Sequence, residues 1–180
     1  TFSEFPTYVF SGPEGSARLG TSLAMCDFNG DGFMDLAAGA RLMERPGDST
    51  VASNQGAVYV WLGYPGGLLD EPDLVRYGTY LSDSGEWKED LAIELGWSMA
   101  AADVNGDGLC DLVAGAMEYV PEAATTGSDY GYVAVYAGLA PDELTLGGLS
   151  NLPVRVMAAE ALGARGGQFG RFLRAGDVDG

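Results

Sequence analysis

Asp27-Phe28-Asn29-Gly30-Asp31-Gly32-Phe33-Met34-Asp35 returns 76 residues further on as Asp103-Val104-Asn105-Gly106-Asp107-Gly108-Leu109-Cys110-Asp111. In both copies oxygen-bearing side chains stand at loop positions one, three, five and nine. A tight turn can gather such a set around one hard cation, and calcium takes six to eight oxygen ligands. The glycine at position six permits that turn. Three carboxylates this close repel one another without a counter-ion, so a metal-free polar turn is the weaker explanation of the pattern.

The repeat extends beyond the loops. Leu19-Gly20-Thr21-Ser22 leads into the first and Leu95-Gly96-Trp97-Ser98 into the second. Asp35-Leu36-Ala37-Ala38-Gly39-Ala40 leaves the first as Asp111-Leu112-Val113-Ala114-Gly115-Ala116 leaves the second, with the same offset throughout. Matching at one fixed offset over such a length marks a structural repeat. A third copy begins at Phe169-Gly170-Arg171-Phe172 and reaches Gly176-Asp177-Val178-Asp179-Gly180, which supplies the first two ligand positions, Asp177 and Asp179.

Each unit consists of short apolar runs separated by Gly, Pro, Asn and Asp clusters, which is the signature of strands and turns. The sequence predicts four strands per unit, at residues 22–26, 35–39, 57–62 and 74–77, then 98–102, 111–115, 132–136 and 154–157. The first two strands of each unit are rich in Ala and Gly and the third carries Tyr59, Trp61, Tyr132 and Tyr136. Small residues near an axis and large ones further out suit a β-propeller blade. The expected fold is therefore all-β: a preceding outer strand within residues 1–18 at Thr7-Tyr8-Val9-Phe10, one blade over 19–94, a second over 95–168 and the start of a third repeat over 169–180. Propellers close with about four to eight blades. Two blades expose sheet edges, so further repeats or another chain are expected to complete the ring.

The formal charge is −17, which disfavours nucleic acid and anionic membranes as partners. No run reaches the roughly 18 apolar residues of a membrane span, and no basic and apolar leader opens the sequence. The two cysteines, Cys26 and Cys110, fall at non-equivalent positions of different repeats, and the expectation is free, largely buried thiols, with a disulfide as the alternative. Catalysis is not expected. The chain holds no histidine to serve as base for a cysteine or for Ser84, and its well-placed acids belong to the loops.

Leu-Gly or Phe-Gly, a short strand, Asp-x-Asn-x-Asp-Gly-x-x-Asp and then Asp-Leu-x-x-Gly-Ala together resemble the FG-GAP repeat of integrin α-subunit propellers and of many secreted proteins. The resemblance covers essentially the whole chain. Departures are small: Leu19 and Leu95 replace the lead-in aromatic, Arg41 and Met117 replace a closing proline, and insertions lengthen the unit at 41–56 and 117–131. It implies calcium ligands at Asp27, Asn29, Asp31 and Asp35 with the carbonyl of Phe33, and at Asp103, Asn105, Asp107 and Asp111 with the carbonyl of Leu109. Helix-loop-helix sites and dockerins fit less well, because both want an acid at position twelve and this chain has Ala38 and Ala114 there.

In a blade the acidic loops lie on one face of the disc and the long insertions on the other. Long loops on a rigid scaffold carry binding, and Tyr80, Trp87, Tyr119 and Tyr130 are the candidate ligand contacts there. Residues 85–95 suggest a short surface helix through Trp87, Leu91 and Leu95. Taken together, the first expectation is a calcium-stabilised, non-catalytic extracellular module for recognition or adhesion, with a protein or carbohydrate ligand. A structural assembly unit completed by another chain comes second, and part of a larger secreted enzyme third.

Overall fold

The computed structural model describes residues 7–12, 17–47, 54–82, 84–88, 92–120, 130–142, 144–158 and 168–176. In chain order, β1 (Leu19–Cys26), β2 (Asp35–Ala40), β3 (Ala57–Trp61) and β4 (Leu74–Tyr77) form the first sheet. β5 (Tyr80–Leu81) and β6 (Trp87–Lys88) form a small ladder, followed by β7 (Leu95–Ala102), β8 (Asp111–Ala116) and β9 (Tyr132–Tyr136). β10 (Gly138–Leu139) and β11 (Gly148–Leu149) form a second small ladder before β12 (Arg155–Ala158). Neighbouring strands are antiparallel, β1-β2-β3-β4 in one sheet and β7-β8-β9-β12 in the other, with the β10–β11 ladder falling between β9 and β12 in the chain. These are two four-stranded propeller blades. Among the described residues there is no helix, hence none long and apolar enough to cross a membrane.

Alternation along β3 places the core. Successive side chains point to opposite faces of a strand, so Val58 and Val60, with Leu62, pack against Leu112, Ala114 and Ala116 of β8 and Tyr132, Ala134 and Tyr136 of β9. Tyr59 and Trp61 point the other way, onto a layer with Ala38, Ala40 and Met43, against which Phe10 packs. With both faces covered, every residue of β3 and of β9 is buried. Small side chains on β1, β2, β7 and β8 let the inner parts of the blades approach. β1 lies beside β7, and Leu23, Met25, Met99 and Ala101 line an open groove where they meet.

One joint recurs between repeats. The register of β1 against β2 shifts between Leu19 and Leu23, and that of β7 against β8 between Leu95 and Ser98. Gly20 and Gly96 occupy those shifts with φ of 85° and 88°, a left-handed backbone that glycine adopts at least cost. The Ser22 hydroxyl donates to the Gly96 carbonyl at 2.7 Å, and the Ser98 hydroxyl to the Gly170 carbonyl at 2.6 Å. A side chain at Gly39 or Gly115 would place its Cβ 2.1 Å from the Gly96 oxygen and 2.0 Å from the Gly170 oxygen respectively. The lead-in of the second blade therefore docks on Gly39 of the first, and the Phe169-Gly170 segment docks on Gly115 of the second in the same way.

The opening segment makes no ladder with the described residues over 7–10, and the Phe10 ring lies against Trp61, tilted by 39° with 4.6 Å between ring centres. Two sequence expectations are corrected here, the surface helix and the free thiols. The surface helix over 85–95 is absent from the described residues. Trp87 instead pairs with Leu81 in the β5–β6 ladder, and Leu95 opens β7. Cys26 and Cys110 are joined in a disulfide with Cα atoms 6.1 Å apart. Repeat alignment hid this, because the end of β1 in one blade sits beside the loop of the next, a neighbourhood created between units and invisible within either one.

Candidate cation loops

Both nine-residue loops are hairpin turns, one from β1 to β2 and the other from β7 to β8, held by their own acids. Asp27 Oδ1 accepts the amides of Gly30 at 2.7 Å and Asp31 at 3.1 Å, and Oδ2 accepts Gly32 at 2.9 Å. Asp31 Oδ1 accepts the Phe33 amide at 2.9 Å, while the Asn29 side-chain amide donates to Asp31 Oδ2 at 3.0 Å. The second loop repeats the scheme bond for bond. Asp103 accepts Gly106, Asp107 and Gly108, Asp107 accepts Leu109, and Asn105 donates to Asp107 at 2.8 Å.

The ninth position does something the sequence did not announce. Asp35 and Asp111 are fully buried. Asp35 takes the Phe28 amide at 2.7 Å on one oxygen and the Gly63 amide at 2.8 Å on the other. Asp111 takes Val104 at 3.0 Å and Gly138 at 2.9 Å. Each carboxylate thus ties the second residue of its loop to the chain leaving the third strand. The only hint in the sequence was a glycine at the matching place, Gly63 and Gly138.

Electrostatics separate the positions. Burial pushes the Asp35 carboxyl above 3.8; the Gly63 and Phe28 amides pull it back, and the charges of Asp27 and Asp31 push it further up. Asp103 is held below 3.8 by backbone amides, that of Gly108 foremost. A cation between the acids of a loop would remove the mutual repulsion. Its donor set, carboxylate, amide and carbonyl oxygen, is the chemistry of calcium rather than of zinc or copper. As the side chains stand, with their oxygens turned onto amides, no group of three acids among the described residues is gathered tightly enough to cage an ion.

Asp177 and Asp179 lie outside the described residues. The four aromatic candidates are not the exposed set that was expected. Tyr80, Tyr119 and Tyr130 are buried and Trp87 is half-buried. Tyr80 packs on Tyr119 at 5.8 Å, Tyr119 meets Tyr132 edge-on at 5.2 Å, and the buried Tyr132 hydroxyl donates to the Thr79 carbonyl at 2.6 Å. At the described ends of these connections Tyr80, Tyr119 and Tyr130 are buried in the core. Arg41, in the first insertion, pairs with Glu94 at 2.6 Å and lies 4.4 Å over the Trp97 ring.

Two propeller blades, each with an acidic loop on its inner hairpin, and glycine lead-ins at Gly96 and Gly170 that dock on the blade before them, define the class. The chain carries FG-GAP repeats in two places: the FG-GAP repeat model matches residues 19–61 and 95–136, the inner three strands of each blade. Human phosphatidylinositol-glycan-specific phospholipase D is 37% identical over 129 residues, which cover 71% of this chain and 13% of that protein. The Bos taurus protein of the same name is 36% identical over 128 residues, with the same shares. Integrin alpha-5 of Xenopus laevis is 32% identical over 112 residues, 62% of this chain and 10% of the integrin. The chain thus spans about an eighth of the phospholipase D relatives it matches.

Proposed function

We propose that the chain is a calcium-stabilised, non-catalytic recognition or adhesion module that works outside the cell. The observation that carries the reading is the pair of loops with one hydrogen-bonding scheme and one oxygen donor set, placed at the same point of two blades. Asp27, Asn29, Asp31, Asp35 and the Phe33 carbonyl would hold one ion, and Asp103, Asn105, Asp107, Asp111 and the Leu109 carbonyl the other. Bound there, calcium supplies charge neutralisation and a rigid β-corner, so that ion binding is coupled to folding. The disulfide supports an oxidising, extracellular location, as does the millimolar calcium that weak extracellular sites use.

Recognition of a protein or carbohydrate then falls to loops carried by the stiffened blades. The likeness to an integrin supports adhesion. The likeness to phosphatidylinositol-glycan-specific phospholipase D supports a second reading, that of a non-catalytic repeat segment within a larger enzyme. The test is thermal unfolding in calcium and in chelator, for the chain and for Asp31→Asn/Asp107→Asn. Calcium is expected to raise the melting temperature of the chain by several degrees and to leave the double variant unmoved, since an ion at 100 times its Kd adds about 2.7 kcal/mol. Equal melting in calcium and chelator would refute the reading.

A further inference from the structure

The two acidic loops touch each other through three independent links. The first is covalent: Cys26 immediately precedes Asp27, and its disulfide partner Cys110 stands between Leu109 and Asp111. The second is packing. A Cβ on Gly30 would meet the Leu109 side chain at 2.6 Å, so Leu109 already lies against the first loop. The third is a hydrogen-bonded bridge of two successive residues. The Gly138 amide donates to Asp111 of the second loop at 2.9 Å, and the next amide, that of Leu139, donates to the Phe28 carbonyl of the first at 3.2 Å. A further hydrogen bond joins the first loop to the same connection, from the Asn29 side-chain amide to the Leu146 carbonyl at 3.2 Å.

We propose that the Cys26–Cys110 disulfide and the Leu109 side chain make the two loops one coupled cation-binding unit, in which an ion in either loop raises the affinity of the other. This rests on the calcium reading above and adds to it. Closing the second loop on an ion fixes the Leu109 carbonyl and the Asp111 carboxylate. Cys110 between them is then fixed as well, and the disulfide passes that order to the residue beside Asp27. The first ion ordered pays the conformational entropy that both loops share, and the second ion pays less. By linkage the effect is reciprocal. Cys26, Cys110 and Leu109 act here as positioning residues, since no side chain of theirs is a ligand.

The experiment is a calorimetric calcium titration of the 180-residue chain with the disulfide intact, of Asp103→Asn/Asp107→Asn, and of both again in two backgrounds. One background is Cys26→Ser/Cys110→Ser; the other is Leu109→Ala, which keeps the disulfide and the ligand carbonyl and serves if the serine variant fails to fold. With the disulfide intact, disabling the second loop is expected to weaken calcium at the first at least about fivefold, the lower end of usual coupling. In either altered background the same disabling should cost the first loop distinctly less. A first loop that binds equally well whether the second is disabled or not, or coupling undiminished in both backgrounds, would overturn the proposal while leaving calcium binding standing. A chain that takes up no calcium at all would overturn both. Loss of stability without loss of coupling would assign the disulfide to the fold alone.

Discussion

Replacing Asp35 by alanine isolates the buried clamp from the cation. Its two oxygens accept the Phe28 and Gly63 amides at 2.7 and 2.8 Å, inside a site with no exposure. Asp35→Ala leaves both donors without a partner, and a buried orphaned donor costs about 1–3 kcal/mol. The loss is therefore roughly 2–6 kcal/mol by the same rule, reduced somewhat because the carboxylate itself is disfavoured by burial. For a chain of this size each kcal/mol lowers the melting temperature by about 2–4 °C. Asp35→Asn keeps the shape and one acceptor and should fall between alanine and wild type. Asp31→Ala, on an exposed residue that accepts the Phe33 amide and the Asn29 side chain, serves as the contrast, at about 0.5–1.5 kcal/mol. Urea unfolding at neutral pH in chelator reads all three without any contribution from calcium. An Asp35→Ala chain as stable as Asp31→Ala would refute the clamp.

Other predictions follow from the same structure. Gly115→Ala forces a methyl to within 2.0 Å of the Gly170 oxygen; overpacking of this kind costs about 1–3 kcal/mol, read by urea unfolding, with faster amide exchange at residues 169–170. Leu112→Ala opens a cavity in the fully buried layer between the blades and should cost about 2–5 kcal/mol in the same assay. Carboxyl-detected NMR in chelator should find Asp35 titrating above 3.8 and Asp103 and Asp142 below it. The signs differ accordingly. Asp35 favours the fold below 3.8 and loses that contribution as pH rises through its folded value. Asp103 and Asp142 favour the fold above 3.8 and lose theirs as pH falls through their lower ones.

The blades were legible because their sequence punctuates itself. Gly- and Asp-rich turns bound each strand, and the predicted strand at 57–62 differs from β3 by one residue at its end. The loops were legible as turns for the same local reason, as the spacing of their glycines and acids is a property of nine consecutive residues. What escaped depends on contacts between units. The disulfide joins non-equivalent positions that only blade packing brings together. Asp35 and Asp111 read as ligands from the sequence, yet their grip on Gly63 and Gly138 requires the third strand to return beside the loop. The apolar spacing of Trp87, Leu91 and Leu95 imitated a helix because Leu95 already belongs to the next blade's inner strand. Tyr80 and Tyr119 sit in connections that looked exposed, yet Tyr80 packs on Tyr119 and Tyr119 on Tyr132.

A single titration bears most directly on the loops as cation sites: calorimetry of calcium into the chain, followed by Asp31→Asn and Asp107→Asn separately. Two ions per chain are expected, with one lost in each variant. Heat of binding that is absent, or that survives unchanged in both variants, would contradict it.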